Sequence, residues 1–463
     1  MQLVREAIGR GASAALSAAQ HLRAGTRETA RHYREGRALR ERARQWSDAD
    51  RRSWSLRQLQ HVVRRAARET PFYRERFQAI GFDPERDFGF DDFASLPILE
   101  REEIGASTMA MQSSAVDPSQ RRVDGTGGST GAPLQYWSGP EERGWRLSGQ
   151  DHFMESLGVR RGSSIAFLWG HHIDLQERAH WREKVRDSVV NRRWFDCFRL
   201  SSDVLLEYHR EMARFAPRTI VAYASALDAM AETLLTNGIQ ADYPSDRIIT
   251  GAEKLWPAQR ARIEAAFPVP VHERYGSRDV GFIAGQYDPR EGGALTVDWM
   301  NLFIEPETDA PDAAIVVTKL HADAMPMIRY RLGDVARFPE GSRPGAPAFE
   351  LPYVIGRQLD GLHLPDGRWI HGVGIPHLMK EQPLREFQIR QQEDYSIVVL
   401  VVPREGYTSS AGDEILRVLG ANLPGVALRL EVVDAIERTG AQKWRPVVSL
   451  ARAPRVPPEV TVQ

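Results

Sequence analysis

Cysteine is nearly absent from this chain. Cys197 stands alone, which excludes an internal disulfide framework and a cysteine-built metal cluster and fits a reducing compartment. Long apolar runs are missing too. No stretch approaches the ~20 residues of a membrane-spanning helix, and Met1 to Arg10 lacks the unbroken apolar core of a secretory leader. A cytoplasmic protein with no membrane span is the expectation. Net charge is also lacking, with 61 Lys and Arg against 62 Asp and Glu, so long-range attraction gives no reason to expect a nucleic-acid partner. The balance is uneven along the chain. Residues 1–50 form a basic helical arm carrying Arg34, Arg37, Arg40, Arg42 and Arg44, but Glu35, Glu41, Asp48 and Asp50 are interspersed. That mixture reads as a solvated helix face rather than a phosphate-binding arm. Lysine, finally, is reduced to Lys184, Lys254, Lys319, Lys380 and Lys443.

What is present suits a soluble globular protein of 463 residues with 42% hydrophobic and 27% charged residues, long enough for two or three packed units. Leu56, Leu59, Val62, Val63 and Ala66 recur at helical spacing, and Thr70-Pro71 ends that helix. From Gly162 the pattern alternates. Ser164–Leu168 reads as a strand, Leu205, His209, Met212 and Phe215 share a helix face, and Thr219–Tyr223 is a strand. Leu227, Met230, Ala231, Leu234 and Leu235 then form a helical stripe. A strand over Arg247–Thr250, a helix over Ala258–Phe267 and a strand near Val269–Val271 follow. Strand–helix alternation of this kind predicts parallel sheets covered by helices, an α/β domain over residues 1–356. After Gly356 the pattern changes to strands at Tyr395–Val402 and Ala427–Val433 with a helix over Glu414–Leu419. These fit a small α+β domain over residues 357–463, behind a proline-rich approach at Pro339, Pro344, Pro347 and Pro352.

The segment most suited to chemistry is Asp124-Gly125-Thr126-Gly127-Gly128-Ser129-Thr130-Gly131-Ala132-Pro133. Its glycines permit close backbone approach, and its hydroxyls and N–H groups suit a polyphosphate. It is no Walker loop, because no lysine follows the last glycine. Taken alone, such a cluster is equally an ordinary turn. The order of later segments adds weight: Gly251-Ala252-Glu253-Lys254-Leu255, Tyr275-Gly276-Ser277-Arg278-Asp279, Tyr330-Arg331-Leu332-Gly333-Asp334, Gly356-Arg357-Gln358-Leu359-Asp360 and Gly440-Ala441-Gln442-Lys443. This series resembles the core motifs of the adenylate-forming (ANL) superfamily. The likeness is strongest to the branch of phenylacetate–CoA ligases and CapK-like proteins, whose N-terminal region Arg68–Phe77 and Leu96-Pro97-Ile98-Leu99 also resemble.

The resemblance implies a large N-terminal adenylation domain with a mobile C-terminal lid, and an AMP-forming ligase that uses ATP and Mg²⁺ on a small-molecule carboxylic acid. Thr126, Gly127, Gly128, Ser129, Thr130 and Gly131 would cradle the phosphates. Gly251, Ala252 and Glu253 would line the adenine, with Tyr275 against the base and Gly276, Ser277 and Arg278 beside it. Asp279 would hold the metal, Asp334 the ribose hydroxyls, and Arg357 the nucleotide near the domain junction. Lys443 would act on the acceptor carboxylate and the α-phosphate, where a compact ammonium is not replaceable by guanidinium. Trp169, His171, Tyr223 and Ser225 would line the acceptor pocket, and Lys254 reads as a surface group. Asp334 and Tyr275 also have plainer readings, as a turn residue and a strand-end core aromatic. Five departures stand out: Ala132 in place of a lysine, Asp279 in place of glutamate, Arg278 in place of a small hydroxyl residue, and Gln442 and Leu359 at positions usually held by glycine and a polar hinge residue. The acyl- or aryl-AMP would pass to CoA, an amine or a hydroxyl. An adenylyltransferase that leaves AMP on its acceptor, and a non-catalytic nucleotide-binding relative, are the alternatives. A monomer or homodimer is expected.

Overall fold

The structure is a computed structural model that describes residues 27–125, 134–160, 162–169, 187, 190–197, 200–290, 293–357, 362–363, 369–370, 379, 382–423, 425–436 and 447–451. The chain divides into two compact units, Met1–Leu332 with Ala336–Val354, and Gly333–Val335 with Ile355–Gln463. No described helix is long and apolar enough to cross a membrane.

The larger unit opens with helices α1 (Arg27–Arg42), α2 (Asp48–Glu69), α3 (Pro71–Ala79), α4 (Phe90–Ala94) and α5 (Arg101–Ser107). On α2 the stripe Leu59, Val62, Val63 and Ala66 is fully buried. Thr70 closes α2 and caps α3, its hydroxyl accepting from Tyr73 N, while Pro71 takes the first helical position, where its missing N–H costs nothing. Strands β1 (Arg122–Gly125) and β2 (Gln135–Ser138) form an antiparallel pair, and helix α6 (Pro140–Ser156) follows.

An eight-stranded sheet carries the centre. Its members are β3 (Ile165–Leu168), β4 (Arg192–Phe195), β5 (Thr219–Tyr223), β6 (Arg247–Gly251), β7 (Val271–Ser277), β8 (Gly281–Gln286), β9 (Leu295–Val297) and β13 (Glu350–Leu351), in the order β13-β9-β8-β7-β6-β5-β3-β4. The half from β4 to β7 is parallel, as the alternation predicts. The other half is antiparallel. The reason is local: only Arg278–Val280 joins β7 to β8, too short for the crossover a parallel partner needs. Strand β7 also begins later and runs further than the sequence suggests, so Tyr275, Gly276 and Ser277 lie on the strand itself.

Helices α7 (Ser202–Phe215), α8 (Ala224–Thr236) and α9 (Pro257–Ala266) cover one face of the parallel half. There Leu205, Met212, Leu227, Met230, Leu234 and Ile263 pack on Ala166, Ile220, Ala222 and Ile248. Leu235 of the expected stripe is instead exposed. The alternate residues Ile165, Val221 and Ile249 face the other way, onto Phe153 of α6 and Leu157 just after it. This is the period-2 alternation of a sheet buried on both faces. A further sheet holds β10 (Leu302–Pro306), β11 (Asp312–Lys319) and β12 (Tyr330–Arg337) in neighbouring positions.

In the basic N-terminal segment Arg34, Glu35, Glu41, Arg42, Arg44, Asp48 and Asp50 are exposed, as a solvated face requires, while the opposite side of α1 packs on α6. A Cβ on Gly36 of α1 would lie 2.3 Å from Ser148 Oγ, and one on Gly144 of α6 would lie 2.7 Å from His32 Cβ, so both glycines permit close packing of the two helices. Tyr33 OH donates to Asp151 at 2.8 Å, Arg37 pairs with Glu155 at 2.5 Å, and buried Arg40 donates to Ser148 Oγ at 2.9 Å and pairs with Asp298. On the same helix as Ser148, burial and then Arg40, Arg37 and Arg44 push His152 down to about 4. The folded state therefore resists protonation, so this contribution is complete above the unfolded value near 6.5 and is lost as pH falls from there toward 4. His152→Gln should shrink the fall in melting temperature between pH 7.5 and pH 5 by about 2–4 °C. A variant whose melting temperature falls as steeply as that of the wild type would contradict this coupling.

Beyond β13, short strands β14 (Tyr353–Arg357), β15 (Leu362–His363) and β16 (Trp369–Ile370) lead on. The smaller unit's sheet contains β17 (Leu384–Gln391), β18 (Ile397–Pro403), β19 (Leu428–Val432) and β20 (Val447–Ser449) in the order β19-β18-β17-β20. Helix α10 (Ser409–Asn422) places Ile415 and Leu419 against Ile389, Val399, Val401 and Val447. Tyr395, expected within the first of these strands, is a turn residue with φ +69°.

Candidate active site at the ends of the parallel strands

Parallel strands of α/β sheets present ligand sites at their carboxyl ends, and here those ends are chemically distinctive. The register pairs Tyr223 with Gly251 and Gly251 with Arg274. Leu168 pairs with Ala222, which brings Trp169, the residue after β3, beside Tyr223. The two rings meet edge to face with centroids 4.4 Å apart. A Cβ on Gly251 would stand 3.0 Å from the Arg274 carbonyl oxygen and 3.6 Å from the edge of the Trp169 ring, so glycine lets these groups approach closely.

The loop after β6 is built as a brace. Ala252 holds φ +65°, a left-handed conformation uncommon for a residue with a Cβ. It turns Glu253 toward α8, where Glu253 Oε2 accepts from Ser225 N at 2.9 Å. Tyr223, at the N-cap position of α8, makes no side-chain cap bond. Glu253 thus supplies both the acceptor and the negative charge that a helix N-terminus favours. Ser225, a candidate pocket residue, is engaged through its backbone. Lys254 is partly buried. Its ammonium sits 4.5 Å from the Trp256 ring centroid and 5.6 Å from that of Tyr353, and burial lowers its pKa despite nearby Glu273.

The end of β7 is held from several sides. Asp279 is buried; its Oδ1 accepts from Ser277 Oγ at 2.5 Å and its Oδ2 from Tyr330 OH at 2.8 Å. Burial first, then the Asp279 charge, pushes the Tyr330 phenol upward, so it remains a donor. Tyr136 OH donates to the Arg278 carbonyl. A Cβ on Gly276 would lie 2.5 Å from the Gly281 carbonyl oxygen, and one on Gly281, which has φ +89°, would lie 2.7 Å from Arg146 Nε. Behind this segment, Glu142 on α6 takes Lys319 at 2.9 Å and Arg146 at 3.4 Å, and Lys319 lies 4.8 Å from the Tyr136 ring centroid. Asp323 accepts from Glu141 N at 3.0 Å and Glu142 N at 3.3 Å, capping α6. The strand that follows the glycine loop is thereby tied to the turn that carries Asp279.

The donor chemistry fits a magnesium ion held through one carboxylate. Among the described residues no three His, Cys, Asp or Glu side chains converge. Each oxygen of Asp279 accepts one hydroxyl and keeps a second acceptor position. Mg²⁺ commonly takes one or two carboxylates and fills its other positions with phosphate oxygens and water.

Asp334 is buried within β12, on the strand that carries Tyr330, so it is not a turn residue. Tyr275 is half-buried and packs against the large core that includes Tyr136 and Tyr330. The loop Thr126, Gly127, Gly128, Ser129, Thr130 and Gly131, together with Ala132, His171, Leu359, Gln442 and Lys443, lies outside the described residues, as does the side chain of Arg357. Sequence reasoning missed Tyr136, Arg146, Lys319 and the hydroxyl role of Tyr330. Only Tyr330 carried a signal, as the first residue of its motif.

No family model matches the chain. Protein CapK of Staphylococcus aureus is 24% identical over 287 residues, which cover 60% of this chain and 62% of CapK. A phenylacetate-coenzyme A ligase of Aromatoleum evansii is 24% identical over 307 residues, 62% of this chain and 66% of the ligase. Both matches span just under two thirds of the relative's length. Among solved structures, 2-hydroxyisobutyryl-CoA ligase in its postadenylation state with R3-HIB-AMP superposes with a TM-score of 0.63 at 19% identity, covering 87% of this chain and 90% of that one. The same ligase in an open conformation with 2-HIB-AMP and CoA gives 0.52 at 18% identity, over 86% and 92%. These likenesses show that the chain shares the fold of 2-hydroxyisobutyryl-CoA ligase.

Proposed function

We propose that this chain is an ATP-dependent adenylate-forming enzyme that activates a carboxylic acid as its acyl- or aryl-AMP and releases pyrophosphate. The observation that carries this reading is the buried Asp279 carboxylate, held by Ser277 and Tyr330 at the end of a central strand in a fold shared with CoA ligases. In the reaction a carboxylate oxygen attacks the α-phosphorus, the bond to the bridging oxygen breaks, and pyrophosphate leaves with the charge. The demand is for positive charge and fixed donors rather than for a strong base.

Residues 126–131 are assigned to the phosphates, Gly251–Glu253 and Tyr275–Arg278 to the adenine side, Asp334 to the ribose and Arg357 to the nucleotide. Trp169 and Tyr223 form the acid pocket, and Lys443 supplies the ammonium. Bound at Asp279, Mg²⁺ would neutralise phosphate charge. Tyr330 and Ser277 keep that carboxylate oriented in a buried place where it would otherwise rotate.

Asp279→Asn keeps the shape and removes the charge. Pyrophosphate release across a panel of carboxylic acids should fall by about a hundredfold or more, because loss of one preorganised electrostatic group is worth roughly that much, and added Mg²⁺ should not restore it. A fully active Asp279→Asn variant, or activity indifferent to magnesium, would remove this assignment.

A further inference from the structure

Arg274 stands next to Tyr275 yet takes no part in the interactions described for Asp279. Across the sheet it is paired with Gly251 on one side and Gly285 on the other, so neither neighbour places a side chain beside it. The space at Gly285 is filled, since a Cβ there would lie 2.2 Å from the Phe153 ring. The space at Gly251 is bordered by the Trp169 ring edge, which in turn meets Tyr223. The stem of Arg274 and the edge of the Trp169 ring thus border Gly251 together, at 3.8 Å and 3.6 Å from a Cβ placed there.

The guanidinium is poorly matched to its surroundings. Among the described residues its polar contact is one bond of 3.4 Å to Gln150 Oε1, and its carbon lies 5.8 Å from the Phe282 ring centroid. No carboxylate of the described residues comes within ion-pair distance of it. Elsewhere in the same unit several enclosed arginines are matched to acids: Arg260 pairs with Glu273, Arg329 with Glu305, and Arg331 with Glu100. Burial lowers the pKa of Arg274, and no described acid offsets it. The side chain nevertheless keeps part of its area accessible. Its one hydrogen bond lies on the exposed side, and guanidinium offers a planar fork suited to a carboxylate.

We propose that Arg274 recognises a second carboxylate on the acid to be activated, so that the substrate class is dicarboxylic acids whose apolar body lies against Trp169 and Tyr223. This rests on the adenylate-forming reading for the fate of the first carboxylate, but the recognition itself is a binding event.

Calorimetric binding to the full chain separates the two questions. The probes are matched pairs: hexanoate with adipate, and phenylacetate with 4-carboxyphenylacetate. Each diacid should bind wild type at least about tenfold more tightly than its monoacid, as expected for one charge-assisted bidentate contact. Arg274→Met should bring the pair within about twofold, and Arg274→Lys should keep part of the preference. Arg274→Gln repeats the test if methionine unsettles the fold. Equal binding of both members of each pair, no binding of either diacid, or a preference that survives loss of the charge would overturn the proposal. Pyrophosphate release reports on the other reading. Arg274-dependent diacid binding without any AMP formation would sink adenylation alone. Release from diacids that is indifferent to Arg274→Met would sink the recognition alone.

Discussion

Lys443→Ala should lower pyrophosphate release by about a thousandfold or more while ATP affinity stays within about threefold of wild type. Pairing a large rate loss with a small binding loss is what an interaction made mainly in the transition state requires. The charge on the phosphate oxygens and the leaving group grows as the carboxylate attacks, and an ammonium there would offset it. Arginine at this position should not rescue the rate, since its planar fork cannot replace a point charge at an in-line displacement. The chain's scarcity of lysine makes this one informative. Single-turnover formation of AMP, alongside calorimetric ATP binding, checks both halves. Normal adenylate formation by the Lys443→Ala variant would remove lysine from the chemistry, and an equal loss in binding and rate would reassign it to ground-state binding.

Arg329→Ala should destabilise the larger unit by about 3–5 kcal/mol, the usual consequence of stranding one member of a buried ion pair. Arg329 donates to Glu305 Oε1 at 3.0 Å and Oε2 at 3.2 Å, and also to the carbonyls of Ala94 and Leu96. Glu305 is wholly buried and also accepts from Gly345 N. Removing the arginine leaves the carboxylate without its counter-charge and leaves two carbonyls without a donor. Arg329→Met combined with Glu305→Leu should recover more than half of the loss, because a volume-matched apolar pair avoids the desolvated charge. Urea unfolding of the three proteins provides the comparison. A single variant within about 1 kcal/mol of wild type, on the scale of a surface pair, would show that the pair carries no such burden.

The parallel half of the central sheet was legible because its strands are continuous apolar runs and its helices carry apolar residues at steps of three and four. Ile220, Ile248 and Leu227 are buried for the reason their spacing suggests. The antiparallel half was not legible. Tyr275-Gly276-Ser277 reads as a polar loop but continues β7, because the chain turns back within three residues to pair with Phe282 and Ala284. Around the candidate site, Gly251, Tyr275, Ser277 and Asp279 could be named from local sequence, but their supports could not. Lys319 and Glu142 lie 177 positions apart, and Tyr136 reaches Arg278 across 142. Pairings of that range leave no periodic trace. For Lys254, nothing in the local sequence shows that its ammonium lies against the Trp256 and Tyr353 rings. Arg274 was hidden for a similar reason, since nothing in one sequence distinguishes an arginine lacking an acidic partner from one that has it.

The central claim is that the acid is joined to AMP, and isotope transfer tests it most directly. Acids labelled with ¹⁸O in the carboxylate would be incubated with the full chain, ATP and Mg²⁺, with hydroxylamine to intercept the acyl group, and the nucleotide product weighed by mass spectrometry. Attack of the carboxylate oxygen on the α-phosphorus, followed by release of the acyl group, leaves that oxygen on AMP. The account predicts AMP carrying one ¹⁸O together with unlabelled pyrophosphate. Label appearing in inorganic phosphate beside ADP, or AMP formed without label, would contradict it.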